Sequence, residues 1–401
     1  MTNRLYYSDP YLTRFESRVV SCIPQSDTES IVYLEESAFY PTSGGQPFDT
    51  GTLGDLEILD VFVDDSGDVA HRVKGTLCPG QTVTGQIDWE RRFDHMQQHA
   101  GEHILAGCLH RSFGGHTIGL HLGHADSSID VELPGVATRL SGDELRFLED
   151  EVNARIQADL PIRCWFPESE ELAALPLRKP PTVKEHVRVV QIGDDEFCAC
   201  GGTHPSSAGQ IGLFKLTDAR PSKGKMRLTF VCGKRANRLF ASCMDTIKSL
   251  SAIFSVPPEN LSQAAEETVK KLKDAQYRME KEKARRAMEL VEGDLKTASE
   301  GTAIVKRLFD GLGADALLEA ANCVTSRPGA YALLGSRQEQ GTLLLFARSQ
   351  DAAGDMGKLL QACARRFGGK GGGRPDFARG SVPDESALDW AEETLRQSLD
   401  K

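Results

Sequence analysis

The sequence predicts a mixed α/β protein of the α+β type, and three observations carry that expectation. Residues 1–90 alternate apolar and polar positions in short runs. Residues 260–298 form a helical stretch almost free of glycine and proline, and α/β patterns fill the regions before and after it. At 401 residues the chain is long enough for two or three domains, on a prior of roughly 100–200 residues each. The expected order is a β-barrel-like domain over 1–90, an α/β domain over 91–250, a helical or coiled-coil spacer over 258–300 and a glycine-rich α/β domain over 301–401.

Each element has its own signature. In the first region SIVYLEESAFY, LEILDVFVDD and QTVTGQIDW alternate between glycine, aspartate and proline, as half-buried strands and their turns do. From Asp94 to about His110 the pattern turns helical. A further helix is expected near 142–158, and strands near 184–192 and 226–232. Pro257 and Pro258 break the chain, and Asn260 and Ser262 are candidate caps for the next element. There Leu261, Ala265, Val269, Leu272, Met279 and Met288 recur at near-heptad spacing, the pattern of a long helix or helical hairpin serving as a spacer arm. The last region reads as a helix near 314–322, strands at 330–335 and 342–348, a helix near 355–367 and a glycine-rich loop, GGKGGGRPDFARG. No internal repeat is visible.

Composition narrows the function classes. Hydrophobic residues make up 40% and charged residues 26%, which is ordinary for a globular chain. No apolar run approaches the ~20 residues that span a bilayer, so no membrane partner is expected. The start, MTNRLYYSDPYLTRF, lacks the basic and apolar segments of a secretory signal. Ten scattered cysteines form no disulfide framework, which suits a reducing cytoplasm and favours metal binding where Cys and His cluster. The net charge of −11 argues against indiscriminate nucleic-acid binding. Local excess is another matter: residues 211–240 carry eight basic side chains against one acidic, and residues 356–380 six against one. Such stretches can bind RNA at chosen places, or they can be solvated faces.

In DHMQQHAGEHIL, His99 and His103 stand four residues apart, which on a helix puts both imidazoles on one face. In FCACGGTHPS, Cys200 and His204 are four apart across a Gly-Gly turn. Thiolate and imidazole together suit Zn²⁺. Either pair alone recurs by chance, but both in one domain point to one zinc per chain, held by His99, His103, Cys200 and His204. His95, one turn before His99, is expected to pack or to support the site. Cys198 reads as a small core residue, and His121 and His124 as wall or supporting groups. In FYPTSGGQPFDTG the small residues Ser43, Gly44 and Gly45 let a backbone approach a ligand, with Thr42 and Gln46 offering a hydroxyl and a carboxamide. On the residues alone, a hairpin turn closing a small barrel explains the segment better.

The three motifs in this order, FYPTSGGQ, DHMQQHAGEH and CGGTH, resemble the editing domain of alanyl-tRNA synthetases and their stand-alone relatives, the AlaX proteins. The resemblance covers roughly residues 5–245, and CGGTH after VRVVQIGD is its most specific part. GGGRPDFARG resembles the C-terminal domain of the same synthetases, which helps grip tRNA. With the long helix between, the layout resembles the long-form AlaX proteins. Two departures stand out: Ser43 replaces a usual third glycine, and SSAGQI at 206–211 replaces the more usual TGEI.

The resemblance implies a cytoplasmic, zinc-dependent hydrolase that deacylates mischarged alanine tRNA in trans, Ser-tRNA(Ala) first and Gly-tRNA(Ala) second. It implies that Thr42, Gly44, Gly45 and Gln46 bind the substrate and that Thr42, Gln46 and Cys200 take part in catalysis. Lys223, Lys225, Arg227, Lys370 and Arg374 are the expected tRNA contacts. A homodimer through the helical spacer or the C-terminal domain is a further expectation. No adenylation motif is visible, so charging of tRNA is not expected. Two rival readings are a non-catalytic RNA-binding protein with a structural zinc, and a zinc peptidase of the H-x-x-E-H type with Glu102 as general base and a distant carboxylate as third ligand.

Overall fold

The alternation of the first ninety residues closes six strands into a barrel. They are β1 (Arg14–Pro24), β2 (Glu29–Leu34), β3 (Gly51–Leu53), β4 (Leu56–Val63), β5 (Val69–Lys74) and β6 (Thr82–Ile87), paired in the order β1-β2-β5-β4-β3-β6 and back to β1. In β1 the cause is plain: Phe15, Ser17 and Val19 point inward while Arg14, Glu16 and Arg18 face water. Val32, Leu34, Val61 and Val73 complete the filling. The computed structural model describes residues 1–135, 139–181, 183, 185–222, 224–298 and 301–400. They fall into two units, Met1–Lys248 and Ser249–Lys401.

Helix α1 (Trp89–Phe113) follows the barrel and is the axis of the first unit. Asp88 caps it by accepting from the Arg91 amide, and Gly114, at φ 64°, ends it in the left-handed region. Next come β7 (His116–Leu122), β8 (Ser127–Glu132) and α2 (Gly142–Gln157), which starts with a Ser141–Glu144 capping box. A small sheet, β9 (Ile162–Trp165), β10 (Val189–Ile192) and β11 (Glu196–Ala199), leads to Cys200. A hairpin, β12 (Phe214–Ser222) and β13 (Lys225–Cys232), completes a four-stranded sheet in the order β12-β13-β8-β7. Ala100, Ile104 and Leu105 of α1 are buried in one core with Ile129, Leu228 and Phe230 of that sheet and with Leu148 and Val152 of α2. The strand expected at 184–192 begins only at Val189, because His186 adopts φ 50°, which no strand accommodates. Helix α3 (Gly233–Phe254) was not legible as a separate element.

In the second unit, α4 (Leu261–Thr297) is one unbroken helix rather than a hairpin. Only Ala287 and Val291 of it are buried, while Val269, Leu272 and Met279 of the heptad-like stripe are more than half exposed. Five strands follow with three helices: β14 (Ala303–Asp310), α5 (Ala314–Thr325), β15 (Ala330–Gln338), β16 (Gly341–Arg348), α6 (Met356–Arg366), β17 (Lys370–Gly373), β18 (Phe377–Val382) and α7 (Ala387–Leu399). The sheet order is β14-β15-β16-β18-β17. Leu317 and Ala321 of α5 pack with Val291 of α4 in one core, and Leu360 of α6 packs with Ala391 of α7 in another. The expected glycine-rich loop is instead the β17–β18 hairpin. Its glycines have a packing cause: a Cβ at Gly371 would lie 2.6 Å from the Gly380 Cα on the facing strand.

The barrel is fastened to α1 by a buried ion pair. Arg92 and Asp49 are both fully buried; the Arg92 Nε lies 2.9 Å from Asp49 Oδ2, and its other nitrogens donate to the Pro10 and Ala38 carbonyls. Asp49 also accepts from the Tyr40 amide at 2.6 Å. Removing one partner leaves the other charge buried and alone, which typically costs about 3–5 kcal/mol. Arg92→Ala is therefore expected to destabilise the N-terminal unit by about that amount in chemical denaturation. A loss below about 1 kcal/mol, the level of an exposed pair, would show the clasp to be dispensable.

Candidate metal centre

Helical spacing and a glycine turn bring four donors together. His99 and His103 lie one turn apart on the buried face of α1, their rings 5.1 Å apart and nearly parallel. Cys200 and His204 follow β11, and the ligand atoms of all four side chains lie within 4.8 Å of one another. Cys200 Sγ is 3.3 Å from His99 Nε2 and 3.8 Å from His204 Nε2. Zinc bonds of about 2.0–2.3 Å in a tetrahedron separate neighbouring ligand atoms by roughly 3.3–3.7 Å, so these spacings suit zinc. Both ring nitrogens of His103 are buried without a hydrogen-bond partner, which is costly unless a ligand is bound there. The donor set therefore fits the metal on the geometry of its own residues.

Burial sets the electrostatics. It lowers the His99 pKa to about 3 and pushes the Cys200 thiol up to about 12, the latter opposed by the Gly202 amide, which donates to Sγ at 3.3 Å. The imidazoles are thus held neutral, the form that ligates a metal.

Gln46 stands elsewhere than expected. It is fully buried, and its carboxamide is used within the protein: Oε1 accepts from His99 Nδ1 at 2.9 Å and from the Thr203 amide at 3.2 Å, while Nε2 donates to Thr203 Oγ1 at 2.8 Å. A carbonyl on Nδ1 fixes the tautomer that leaves Nε2 free for the cluster. Gln46 therefore holds the His99 imidazole from within the protein, outside the cavity lining. Gly202 completes this contact, since any Cβ there would collide with the His99 ring. Sequence reasoning missed Arg188, which pins the same turn by donating to the Cys200 and Gly202 carbonyls at 3.1 and 2.8 Å.

A cavity of about 660 Å³ opens on the cluster, with His99, His103 and Cys200 in its wall. Ser43 and Gly44 also line it, whereas Thr42, Gly45 and Gln46 do not. Thr42 is exposed, and its hydroxyl accepts from the Phe48 amide at 3.2 Å. Ser43 to Gln46 form a hairpin turn with φ 58° at Gly44 and 85° at Gly45, the positive values a type I′ turn requires. The turn docks on β7, where the Leu122 amide donates to the Gly45 carbonyl. The segment is thus a hairpin turn, and Ser43 and Gly44 at its tip edge the cavity. Arg178 and Lys179, which no sequence motif marks, line it too, and Arg178 is tied to Glu196 at 2.8 Å. Cys198 sits in the wall, and His95 is buried on α1 outside the four-donor cluster. His121 and His124 are exposed and do not line the cavity.

The first basic stretch is largely neutralised. Lys225 pairs with Glu132 at 3.4 Å, Arg227 with Asp130 at 2.7 Å, Lys215 with Glu149 at 2.7 Å and Arg235 with Asp94 at 2.6 Å. Lys225 and Arg227 are thus not the free cations the sequence suggested, and Lys223 lies outside the described residues. In the second stretch Lys370 is exposed, and Arg374 is exposed with Asp376 3.3 Å away.

The chain has recognisable relatives among known proteins. Residues 187–229 match the family described as the threonyl and alanyl tRNA synthetase second additional domain, and residues 300–401 match the DHHA1 domain. The alanine–tRNA ligase of Pyrococcus abyssi is 33% identical over 99% of this chain and 44% of its own length. That of Pyrococcus furiosus is 32% identical, again over 99% of this chain and 44% of the ligase. The alanyl-tRNA editing protein AlaX-L of Pyrococcus horikoshii is 30% identical over 100% of both chains. The chain thus spans less than half the length of the ligases it matches.

The geometry predicts about one zinc per chain in the purified protein, measurable by elemental analysis. His99→Ala combined with His103→Ala should abolish it, and full zinc retention by that double variant would sink the ligand assignment. Gln46→Ala should keep the fold but weaken zinc binding roughly 10- to 100-fold, as loss of a ligand-orienting partner does.

Proposed function

The chain belongs to the AlaX-L family of alanyl-tRNA editing proteins, and on that footing we propose that it is a zinc-dependent hydrolase that deacylates mischarged alanine tRNA. The observation that carries the proposal is the four-donor cluster at the wall of an open cavity, with both His103 nitrogens left for a ligand. Zinc held by all four donors would have to expand to five-coordinate to supply Lewis-acid polarisation of the ester or an activated water. The protein's own groups do the rest. Gln46 holds the His99 ring, Arg188 holds the Cys200–Gly202 turn, and Ser43 and Thr117 bring hydroxyls to the cavity. Ser-tRNA(Ala) is the proposed main substrate and Gly-tRNA(Ala) the second. An alanine pocket cannot exclude the smaller glycine, and it rejects an added hydroxyl by only about 10². A second, polar site can remove serine on the strength of the hydroxyl that alanine lacks.

A purely structural zinc would also take four side-chain donors. The cavity that opens on three of the four favours hydrolysis, because it gives a substrate access to the donor cluster. The peptidase reading wants a carboxylate ligand, whereas the donors that join His99 and His103 are a thiol and a third imidazole.

The C-terminal unit is proposed to hold the tRNA away from its 3′ end, through Lys370 and Arg374 at the β17–β18 hairpin. The purified protein should hydrolyse Ser-tRNA(Ala) and lose tRNA affinity as salt rises. Lys370→Ala with Arg374→Ala should lower the slope of log affinity against log salt by about 2, at roughly 0.9 per duplex phosphate contact. An unchanged slope would remove this hairpin from the tRNA interface. Absence of hydrolysis by zinc-loaded protein would overturn the deacylase reading itself.

A further inference from the structure

One carboxylate in the cavity has no role in the metal cluster. Glu102 lies on α1 directly before His103, lines the cavity and is only 5% exposed. Among the described residues no donor makes a hydrogen bond to it, and His103 Nδ1, at 3.6 Å from Oε2, is too far to count as one. Buried carboxylates in folded proteins are almost always paired, so a partner that arrives with the ligand is indicated.

The surrounding charges narrow what that partner is. Arg178 of the wall spends its hydrogen bonds on Glu196 and the Thr117 hydroxyl, so its charge and that of Lys179 reach Glu102 only through space. Lys179 lines the same cavity and forms no ion pair among the described residues. Glu185, the other acid of the lining, is exposed. Glu102 is thus the carboxyl group that sits at depth beside the cluster. An aminoacyl ester carries one cation, its α-ammonium, and that nitrogen lies only about 2.5 Å from the carbonyl carbon that must be attacked. A group next to His103 in the chain is placed to hold it while the ester faces the metal ligands.

We propose that Glu102 binds the α-ammonium group of the esterified amino acid, so that the site accepts esters with a free amine and rejects N-acylated ones. The inference rests on the deacylase reading and deepens it. It adds a class of excluded substrate, because peptidyl and other N-blocked esters would bury Glu102 without its cation. Glu102 contributes nothing here to the choice between serine and glycine, which share the ammonium.

The test compares Ser-tRNA(Ala) with N-acetyl-Ser-tRNA(Ala), using full-length zinc-loaded protein and its Glu102→Gln variant, with zinc content measured for both. The wild type should prefer the free amine by roughly 10- to 100-fold in kcat/KM, the range expected for a hydrogen bond to a charged group. Glu102→Gln should lose that factor on Ser-tRNA(Ala), keep the wild-type rate on the acetylated substrate and retain its zinc. Unchanged turnover of the acetylated ester also shows that the variant is folded. Equal hydrolysis of the two esters by the wild type would overturn the proposal while leaving the deacylase reading intact. So would an equal fall on both substrates, or a loss of zinc, since either would make Glu102 a positioning residue for His103. A wild type inert on Ser-tRNA(Ala) would instead sink the deacylase reading on which the proposal stands.

Discussion

The fully buried Arg92–Asp49 pair joins the barrel to the helix that carries His99 and His103. Two ions taken out of water are a liability unless every remaining donor and lone pair is met. Here they are met: Arg92 also serves the Pro10 and Ala38 carbonyls, and Asp49 the Tyr40 amide. The result fixes residues 38–49 against α1. That segment contains the Ser43–Gln46 turn, and only with it fixed can the Gln46 carbonyl stand 2.9 Å from His99 Nδ1. The barrel therefore does more than bury its own strands. It supplies the group that sets the tautomer of a helical imidazole 53 positions away.

A second set of contacts fixes the other half of the cluster. Gln46 reaches Thr203 through both its oxygen and its nitrogen, and Arg188 holds the carbonyls of Cys200 and Gly202. The CGGTH turn is thereby held between a barrel residue and the segment before β10. Gly202 has to be glycine because the His99 ring occupies the place of its side chain. Gln46 bridges the two donor pairs by hydrogen bonds to His99 and Thr203, while Arg188 braces the turn that carries Cys200 and Arg178 of the wall pairs with Glu196. This division suits a cation site, since neutral imidazoles keep their lone pairs for the metal.

The four-donor cluster was readable because each of its two pairs is local. A spacing of four on a helix, or across a glycine turn, brings two side chains together without help from the rest of the fold. The barrel was readable for the same reason, since alternation is a property of neighbouring residues. What stayed hidden is long-range. Nothing near Gln46 announces that its partners are His99 and Thr203, the latter 157 residues on. The basic stretch at 211–240 was visible as composition, but the carboxylates that neutralise it, Glu90, Asp94, Asp130, Glu132 and Glu149, come from elsewhere in the chain. Charge read along the chain is not charge on a surface.

The glycine-rich hairpin of the second unit carries the same lesson to RNA recognition. Glycines in a basic segment invite the idea of a backbone laid against phosphates. In the fold, several of them are consumed by packing: Gly371 and Gly380 let two strand backbones close up beneath Leu360, and Gly357 lets α6 approach the Gly373 carbonyl. The β17 backbone is paired to β18 on one side only, since β17 is the edge of the sheet. The cations Lys370, Arg374 and Arg379 remain exposed around the hairpin. Glycine then acts indirectly, by thinning the edge of the sheet so that long side chains stand clear of it. Those side chains offer a polyanion a grip that is electrostatic and falls with salt.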